Sequence, residues 1–288
     1  MTLVIHDRRS LHWQSQLILL LILPLVGVFV LLEFIQLLPV SPAIVAQALA
    51  IGVAFALLVW ILRAATPAAS LTGGLFTASL YLWTPGWRTA LWPLLALFLL
   101  TFAATRFGRS RKEKLGTAEG KRGRIASQVA ANLGVAVIAG VPLSTRHVWL
   151  GIYPGRVALI ACIAALSEAT ADTLSSEVGQ VLGGDPRMLT TFRRVPAGTD
   201  GAISLNGTLA GAAGAAIVTT IAALVFRLSF HESAIAFAGG IVGLFFDSLL
   251  GATLGRRSWL NNDAVNALST LAAALFAAWA ASAINASL

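Results

Sequence analysis

Runs of about twenty mostly apolar residues recur along nearly the whole chain and limit its fold more than any other feature. A helix rises ~1.5 Å per residue and the hydrocarbon core of a bilayer is about 30 Å thick, so each run has the length of one crossing. Nine spans are predicted, over residues 17–38, 43–62, 68–84, 88–105, 126–142, 155–172, 204–226, 233–253 and 263–284. The third is the weakest, because Thr72, Gly73 and Gly74 interrupt it. Only 11% of the 288 residues are charged, well below the level of soluble domains. The expected class is therefore an all-α polytopic transmembrane bundle. Disorder, a collagen-like fibre and an ordinary soluble enzyme are excluded. Cys162 is the only cysteine, so no intrachain disulfide framework exists. The first run follows Arg8 and Arg9, but it is long and lacks a small-x-small ending, which argues against a cleaved signal peptide.

A net charge of +8 would suggest nucleic acid in a soluble protein. Here the basic residues occupy short loops, where they set membrane orientation, and no nucleic-acid partner is expected. With the N-terminus in the cytoplasm, the inner segments carry Arg8, Arg9, Arg63, the cluster Arg106–Arg124, Arg187, Arg193, Arg194, Arg256 and Arg257. Only Arg88, Arg146, Arg156 and Arg227 fall outside. That bias predicts an inside N-terminus and an outside C-terminus, which needs an odd number of spans. Composition divides the chain into four greasy N-terminal spans (1–105) and a core of five spans (106–288) that carries the polar residues. The glycines at Gly207–Gly211–Ala215 and Gly239–Gly243 have the small-xxx-small spacing of close helix packing.

Acidic residues at membrane depth are costly unless paired, hydrated or bound to a cation. Glu168 and Asp172 are four apart, so a continuous helix stacks them on one face, and Ser176 extends it. Glu177, five beyond Asp172, joins that face only if the helix breaks or a loop folds back. Asp247 stands alone in an apolar helix ahead of Ser248 and Gly251. These acids either pair with nearby arginines or hold a divalent cation. Mg²⁺ typically uses one or two carboxylates together with substrate phosphates. The loop from Thr190 to Ser204 carries Arg193 and Arg194, then Gly198, Thr199, Asp200 and Gly201 before a helix start. It is a weak phosphate-binding signal, unlike Walker A, and Asp200 or Ser204 could instead be a plain helix cap. Gln128 and Asn132 present two amides on one helix side, as interhelical glue or as substrate contacts. Asn262, Asp263 and Asn266 open the last span. All these elements fall at the predicted cytoplasmic side, which implies one shared polar pocket.

Several ordered strings also resemble a membrane-protein family that includes animal transmembrane protein 19 and the phytyl-phosphate kinase of plants and cyanobacteria; most bacterial members have no assigned function. The strings are Ala171-Asp172-Thr173 with Ser176-Glu177-Val178-Gly179, Pro186-Arg187 leading to Thr190-Thr191, Val195-Pro196-Ala197-Gly198-Thr199-Asp200-Gly201, Asp247-Ser248 with Leu250-Gly251-Ala252-Thr253, and Asn261-Asn262 with Val265-Asn266; Gln128 with Ala131-Asn132 also fits. The resemblance covers roughly residues 105–275. It implies a membrane-embedded kinase that phosphorylates an isoprenoid monophosphate to the diphosphate with a nucleoside triphosphate, CTP first. In that reading Asp172, Glu177 and Asp247 hold Mg²⁺. Arg193 and Arg194 bind phosphate, and Gly198, Thr199 and Gly201 shape the loop around it. Gln128, Asn132, Ser176, Asn262 and Asn266 contact substrate. The site would face the cytoplasm from an inner membrane. The competing reading is a transporter or flippase of a lipid phosphate or small anion.

Overall fold

The structure, a computed structural model, describes residues 11–118, 120, 123–143 and 155–287. Arg8, Arg9 and Arg146 of the charge argument lie outside these residues. In chain order the helices are α1 (His12–Leu37), α2 (Pro42–Ile61), α3 (Pro67–Trp83), α4 (Leu91–Arg106), α5 (Arg109–Leu115), α6 (Ala126–Gly140), α7 (Gly155–Leu182), α8 (Leu205–Phe226), α9 (Phe230–Leu250) and α10 (Asn262–Ser287). Each of the nine expected spans is thus a helix. Among the described residues seven are long and apolar enough to cross alone, or eight if α4 and α5, bent by 64°, form one span. The helix outside both counts is α3, with 17 residues. Most of its side chains are buried against neighbouring helices, so its threonines and glycines do not face lipid.

Local sequence explains the helix starts. Pro42 and Pro67 open α2 and α3, where a missing N–H costs nothing. Thr66 accepts from Ala69 N at 3.3 Å and Ser204 from Gly207 N at 3.2 Å, so hydroxyls cap α3 and α8. Ser229 and Glu232 form a reciprocal capping box at the start of α9.

Contacts between helix ends show that the nine long helices alternate in direction. At one end, Gln14 Nε2 donates to Trp259 O at 2.8 Å, which sets the start of α1 beside the start of α10. Arg106 donates to Leu62 O at 2.7 Å there, joining the ends of α4 and α2. At the other end, Arg156 pairs with Glu232 and with the Arg227 carbonyl, holding the start of α7 against the α8–α9 turn. The first end gathers Arg63, Arg106, Arg124, Arg187, Arg193 and Arg194, as the charge bias requires.

α7 is the central post, packed against α4, α6, α8, α9 and α10. Glycines let its neighbours approach. A Cβ on Gly207 would lie 2.7 Å from Ser175 O, and one on Gly211 would lie 2.7 Å from Ala171 O. The four N-terminal spans are not set apart: α1 and α3 pack on α6, and α4 packs on α7. The α2–α3 linker is also zipped to the segment before α6, with Arg124 N donating to Ala64 O (3.0 Å) and Thr66 N to Arg124 O (2.9 Å).

Candidate functional site

α7 runs unbroken to Leu182, well past the predicted end of its span. Its regular turn decides where each acid goes. Glu168 and Asp172 share one face, while Glu177 is rotated away by about 140°. Glu177 accepts from Lys112 Nζ at 2.6 Å. Lys112, only 1% exposed, also donates to the carbonyls of Ala104 (3.0 Å) and Thr105 (2.7 Å). The pair docks α5 on α7, aided by Thr117 Oγ1 on Gln180 Oε1 at 2.5 Å. Glu177 thus lies off the Asp172 face and pairs with Lys112, while staying close enough to act electrostatically on Asp172. The helix neither breaks nor folds back, and the carboxylate is engaged elsewhere.

Asp247, near the end of α9, does meet Asp172. The two half-buried carboxyls stand close enough to act electrostatically on each other. Arg124 and Glu177 act electrostatically on Asp172; Glu168 and Asp200 act on Asp247. Glu168 is 1% exposed and accepts from Thr270 Oγ1 at 2.9 Å. Its second oxygen, Oε1, is buried without a hydrogen-bond partner among the described residues. Gly243 makes room for it, since a Cβ there would stand 2.4 Å from Glu168 Cγ. Ser269 donates to Asp247 Oδ2 at 3.3 Å. The amides of Asn132 and Asn266 meet at 2.7 Å. Turned the other way, the Asn266 nitrogen reaches Asp247 Oδ2 at 3.3 Å and the Asn262 carbonyl at 3.1 Å.

The loop between α7 and α8 closes over this end. Two short strands, β1 (Arg187–Met188) and β2 (Ala202–Ile203), pair antiparallel and tether it, with Met188 buried. Gly201 has φ 75° and lies flat on the single π-helical turn Gly251–Gly255 that follows α9. A Cβ there would sit 2.1 Å from Ala252 N. Gly198, φ 83°, similarly presses on Thr117, whose Cγ2 would be 2.6 Å from an added Cβ. Thr199 Oγ1 donates to the Pro196 carbonyl at 2.6 Å and stiffens the turn. The loop thus brings Asp200 to the acids, while Arg193 and Arg194 stay exposed farther out, Arg194 at 3.3 Å from Asp185.

The remaining expected residues separate into two kinds. Asn132 and Asn266 join the acids, and Ser176 and Asn262 are exposed at the same end. Gln128 instead folds back to accept from Ile125 N at 2.8 Å, capping α6. Asp263 accepts from Ser15 at 2.6 Å and ties α10 to α1. Glu168, which the sequence reading counted among the membrane acids but gave no role in the metal set, sits in the cluster, and one member escaped that reading. Arg124 stood hidden among eight basic residues; its backbone zipper to Ala64 and Thr66 is what selects it.

Among the described residues no three His, Cys, Asp or Glu side chains are grouped closely enough to form a metal site alone. The facing pair Asp172–Asp247 and the unpartnered Glu168 oxygen nevertheless form a carboxyl cluster with the Arg124 cation in its field. That suits Mg²⁺, which completes its shell with water and phosphate oxygens.

A family model described as integral membrane protein DUF92 matches residues 50–274. An uncharacterized membrane protein of Methanocaldococcus jannaschii is 36% identical over 62% of this chain and 70% of its own. One from Synechocystis is 33% identical over 67% of this chain and 73% of its own. The chloroplastic protein VTE6 of Arabidopsis thaliana is 28% identical over 76% of this chain and 67% of its own. No solved structure matches.

Proposed function

The chain belongs to the DUF92 family of integral membrane proteins, and from that premise we propose that it is a membrane-embedded kinase acting on an isoprenoid monophosphate. The donor is a nucleoside triphosphate, CTP before others, and the product is the isoprenoid diphosphate. The resemblance to phytyl-phosphate kinase supplies the reaction class. The observation that carries the reading is the facing pair Asp172–Asp247, brought from two helices to one end of the bundle beside Arg124.

An oxygen of the acceptor monophosphate attacks the terminal phosphorus of the donor. A new P–O bond forms, and the bond from that phosphorus to its bridging oxygen breaks, releasing the nucleoside diphosphate. The acceptor is already anionic, so no dedicated base is needed. The protein's share is positioning and charge stabilisation. Asp172 and Asp247 would hold Mg²⁺, which when bound offsets negative charge on the donor phosphates. Arg193 and Arg194, on the exposed outer part of the loop, would bind phosphate oxygens, with Gly198, Thr199 and Gly201 setting the loop's approach. Asn132 and Asn266 would orient the reacting phosphates beside Asp247, and Ser176 and Asn262 would line the rim. The charge bias of the loops supports a cytoplasmic site, where nucleotides are, in an inner membrane.

The test is direct. Purified protein is given labelled CTP or ATP, Mg²⁺ and phytyl or geranylgeranyl phosphate, and the diphosphate is measured. Asp172→Asn and Asp247→Asn should each abolish product, and omission of Mg²⁺ should do the same. Full turnover in both variants would remove the metal assignment. Uptake of the lipid phosphate into proteoliposomes with no phosphoryl transfer would select the carrier reading instead.

A further inference from the structure

A cleft of about 1000 Å³, open solvent at its mouth included, runs between α2, α3, α4, α6 and α7. No site residue derived from the sequence lines it except Asn132. Its inner wall is apolar: Leu94 and Leu97 from α4 are buried, and Phe55, Phe98 and Phe102 form a ladder. Phe55 meets Phe98 edge-on at 5.3 Å between ring centres, and Phe98 stacks on Phe102 at 5.6 Å. The ladder ends in a cation, because the Arg106 guanidinium lies 3.7 Å over the Phe102 ring. On the opposite wall Ala65 of the α2–α3 linker and Ala69 and Gly73 of α3 are small.

The mouth carries Arg63, Arg106, Arg109 and Arg124. Arg109 is paired with Glu113 at 2.9 Å, and Arg106 serves the Leu62 carbonyl. Arg124 instead points toward α7, with Nη2 3.3 Å from Thr173 Oγ1 and in the field of Asp172. Asn132 lines the same cleft and touches Asn266 beside Asp247. One cavity therefore joins a greasy slot to a basic mouth, and two of its lining residues, Arg124 and Asn132, connect it to the neighbourhood of the acidic pair, which does not itself line it.

We infer that this cleft seats the acceptor, an isoprenoid monophosphate whose chain lies along Phe55, Phe98 and Phe102 and whose phosphate meets Arg124. The acceptor's chemistry rests on the kinase reading; its location rests on the cleft. A phosphate at Arg124 stands next to Asp172, where a donor held by the acidic pair is in reach. Charge complementarity favours a phosphate head, and the apolar walls favour a hydrocarbon tail. Leu94 to Arg106 spans ~18 Å of helix at about 1.5 Å per residue. At ~1.2 Å per atom of an extended chain, that depth takes roughly fifteen main-chain carbons, or three to four isoprene units. Phe55 and Leu94 also line a second apolar cavity of about 780 Å³. They form the partition that ends the slot.

The experiment uses the full-length protein in nanodiscs and a diazirine analogue of geranylgeranyl monophosphate, without nucleotide. Labelling is expected on peptides from residues 50–105, competed by geranylgeranyl monophosphate but not by phosphatidic acid. Arg124→Gln should weaken binding about 10-fold, the loss of one charge-assisted contact. Phe55→Ala, by opening the partition, should shift the preferred chain upward in length. Leu97→Trp should shift it downward by about 10-fold in the ratio of geranyl to geranylgeranyl phosphate. Labelling confined to α8–α10 while phosphorylation persists overturns this inference and leaves the kinase reading standing. Labelling of the cleft with no phosphoryl transfer upholds the inference and counts against the kinase. Equal competition by phosphatidic acid, or a chain-length profile unmoved by both size variants, overturns it.

Discussion

Replacing Lys112 with methionine tests whether Glu177 is a structural anchor or a metal ligand. The ammonium is 1% exposed and donates to two carbonyls at the end of α4 and to a carboxylate that is itself only 14% exposed. Lys112→Met keeps most of the side-chain volume but leaves Glu177 with an uncompensated, mostly buried charge. Breaking such a pair costs about 3–5 kcal/mol, and the lower figure applies here because the carboxylate retains some water. A loss of ~3 kcal/mol in a chain of this size lowers the melting temperature by about 10 °C. Glu177→Gln should cost a comparable amount by stranding the lysine. The double variant Lys112→Met/Glu177→Leu should be much less destabilised than the sum of the two, with a coupling of roughly 2 kcal/mol. Thermal unfolding in detergent measures all three. Additive losses, or single variants within about 2 °C of the parent, would refute the buried pair. Abolished Mg²⁺ dependence in Glu177→Gln at unchanged stability would return Glu177 to the metal site.

The facing carboxyls carry a cost of their own. Asp247→Asn should raise thermal stability in chelator while eliminating turnover, because it relieves like-charge repulsion; Mg²⁺ should raise the melting temperature of the parent but not of this variant, and an unstabilised variant would contradict the close approach of Asp172. Gly201→Ala forces a Cβ to within 2.1 Å of Ala252 N at φ 75°. Phosphoryl transfer should fall at least about 10-fold, with the melting temperature lowered by roughly 2–4 °C for about 1 kcal/mol of strain; unimpaired turnover would mean that the loop's seat on the π-helical turn is immaterial to the reaction.

Much of this architecture is legible in residue patterns because membrane burial leaves a strong signature. Apolar runs mark the positions of all nine helices, although among the described residues only seven, or eight with the bent α4–α5 pair, are long and apolar enough to cross, and the weakness of the Thr72-Gly73-Gly74 segment has a structural counterpart in the enclosed α3. The spacing of Gly207 and Gly211 foretells backbone contact with α7. Asp172 and Asp247 read as a pair because each is an acid that lipid would reject. What periodicity does not carry is the choice between neighbours on different helices. Glu177 goes to Lys112 through a bend after α4 that nothing in the basic cluster announces. Gln128 is absorbed by a helix end. Arg124 is singled out by a backbone bridge to a linker sixty residues earlier, and only Gly123, whose φ is 72° and whose Cβ would lie 2.3 Å from Ala64 O, hints at so close a passage.

The near-total enclosure of α7 has a consequence for how the protein is made. Of the five helices packed on it, α8, α9 and α10 follow it in the chain, and Thr270, which donates to Glu168, comes from the last of them. A nascent polypeptide that ends before α8 must therefore park two acids in lipid or in the insertion machinery, at several kcal/mol each. Synthesis and maturation are thus coupled to the final hairpin, and a lesion in α10 far from any substrate would register first as failed membrane integration.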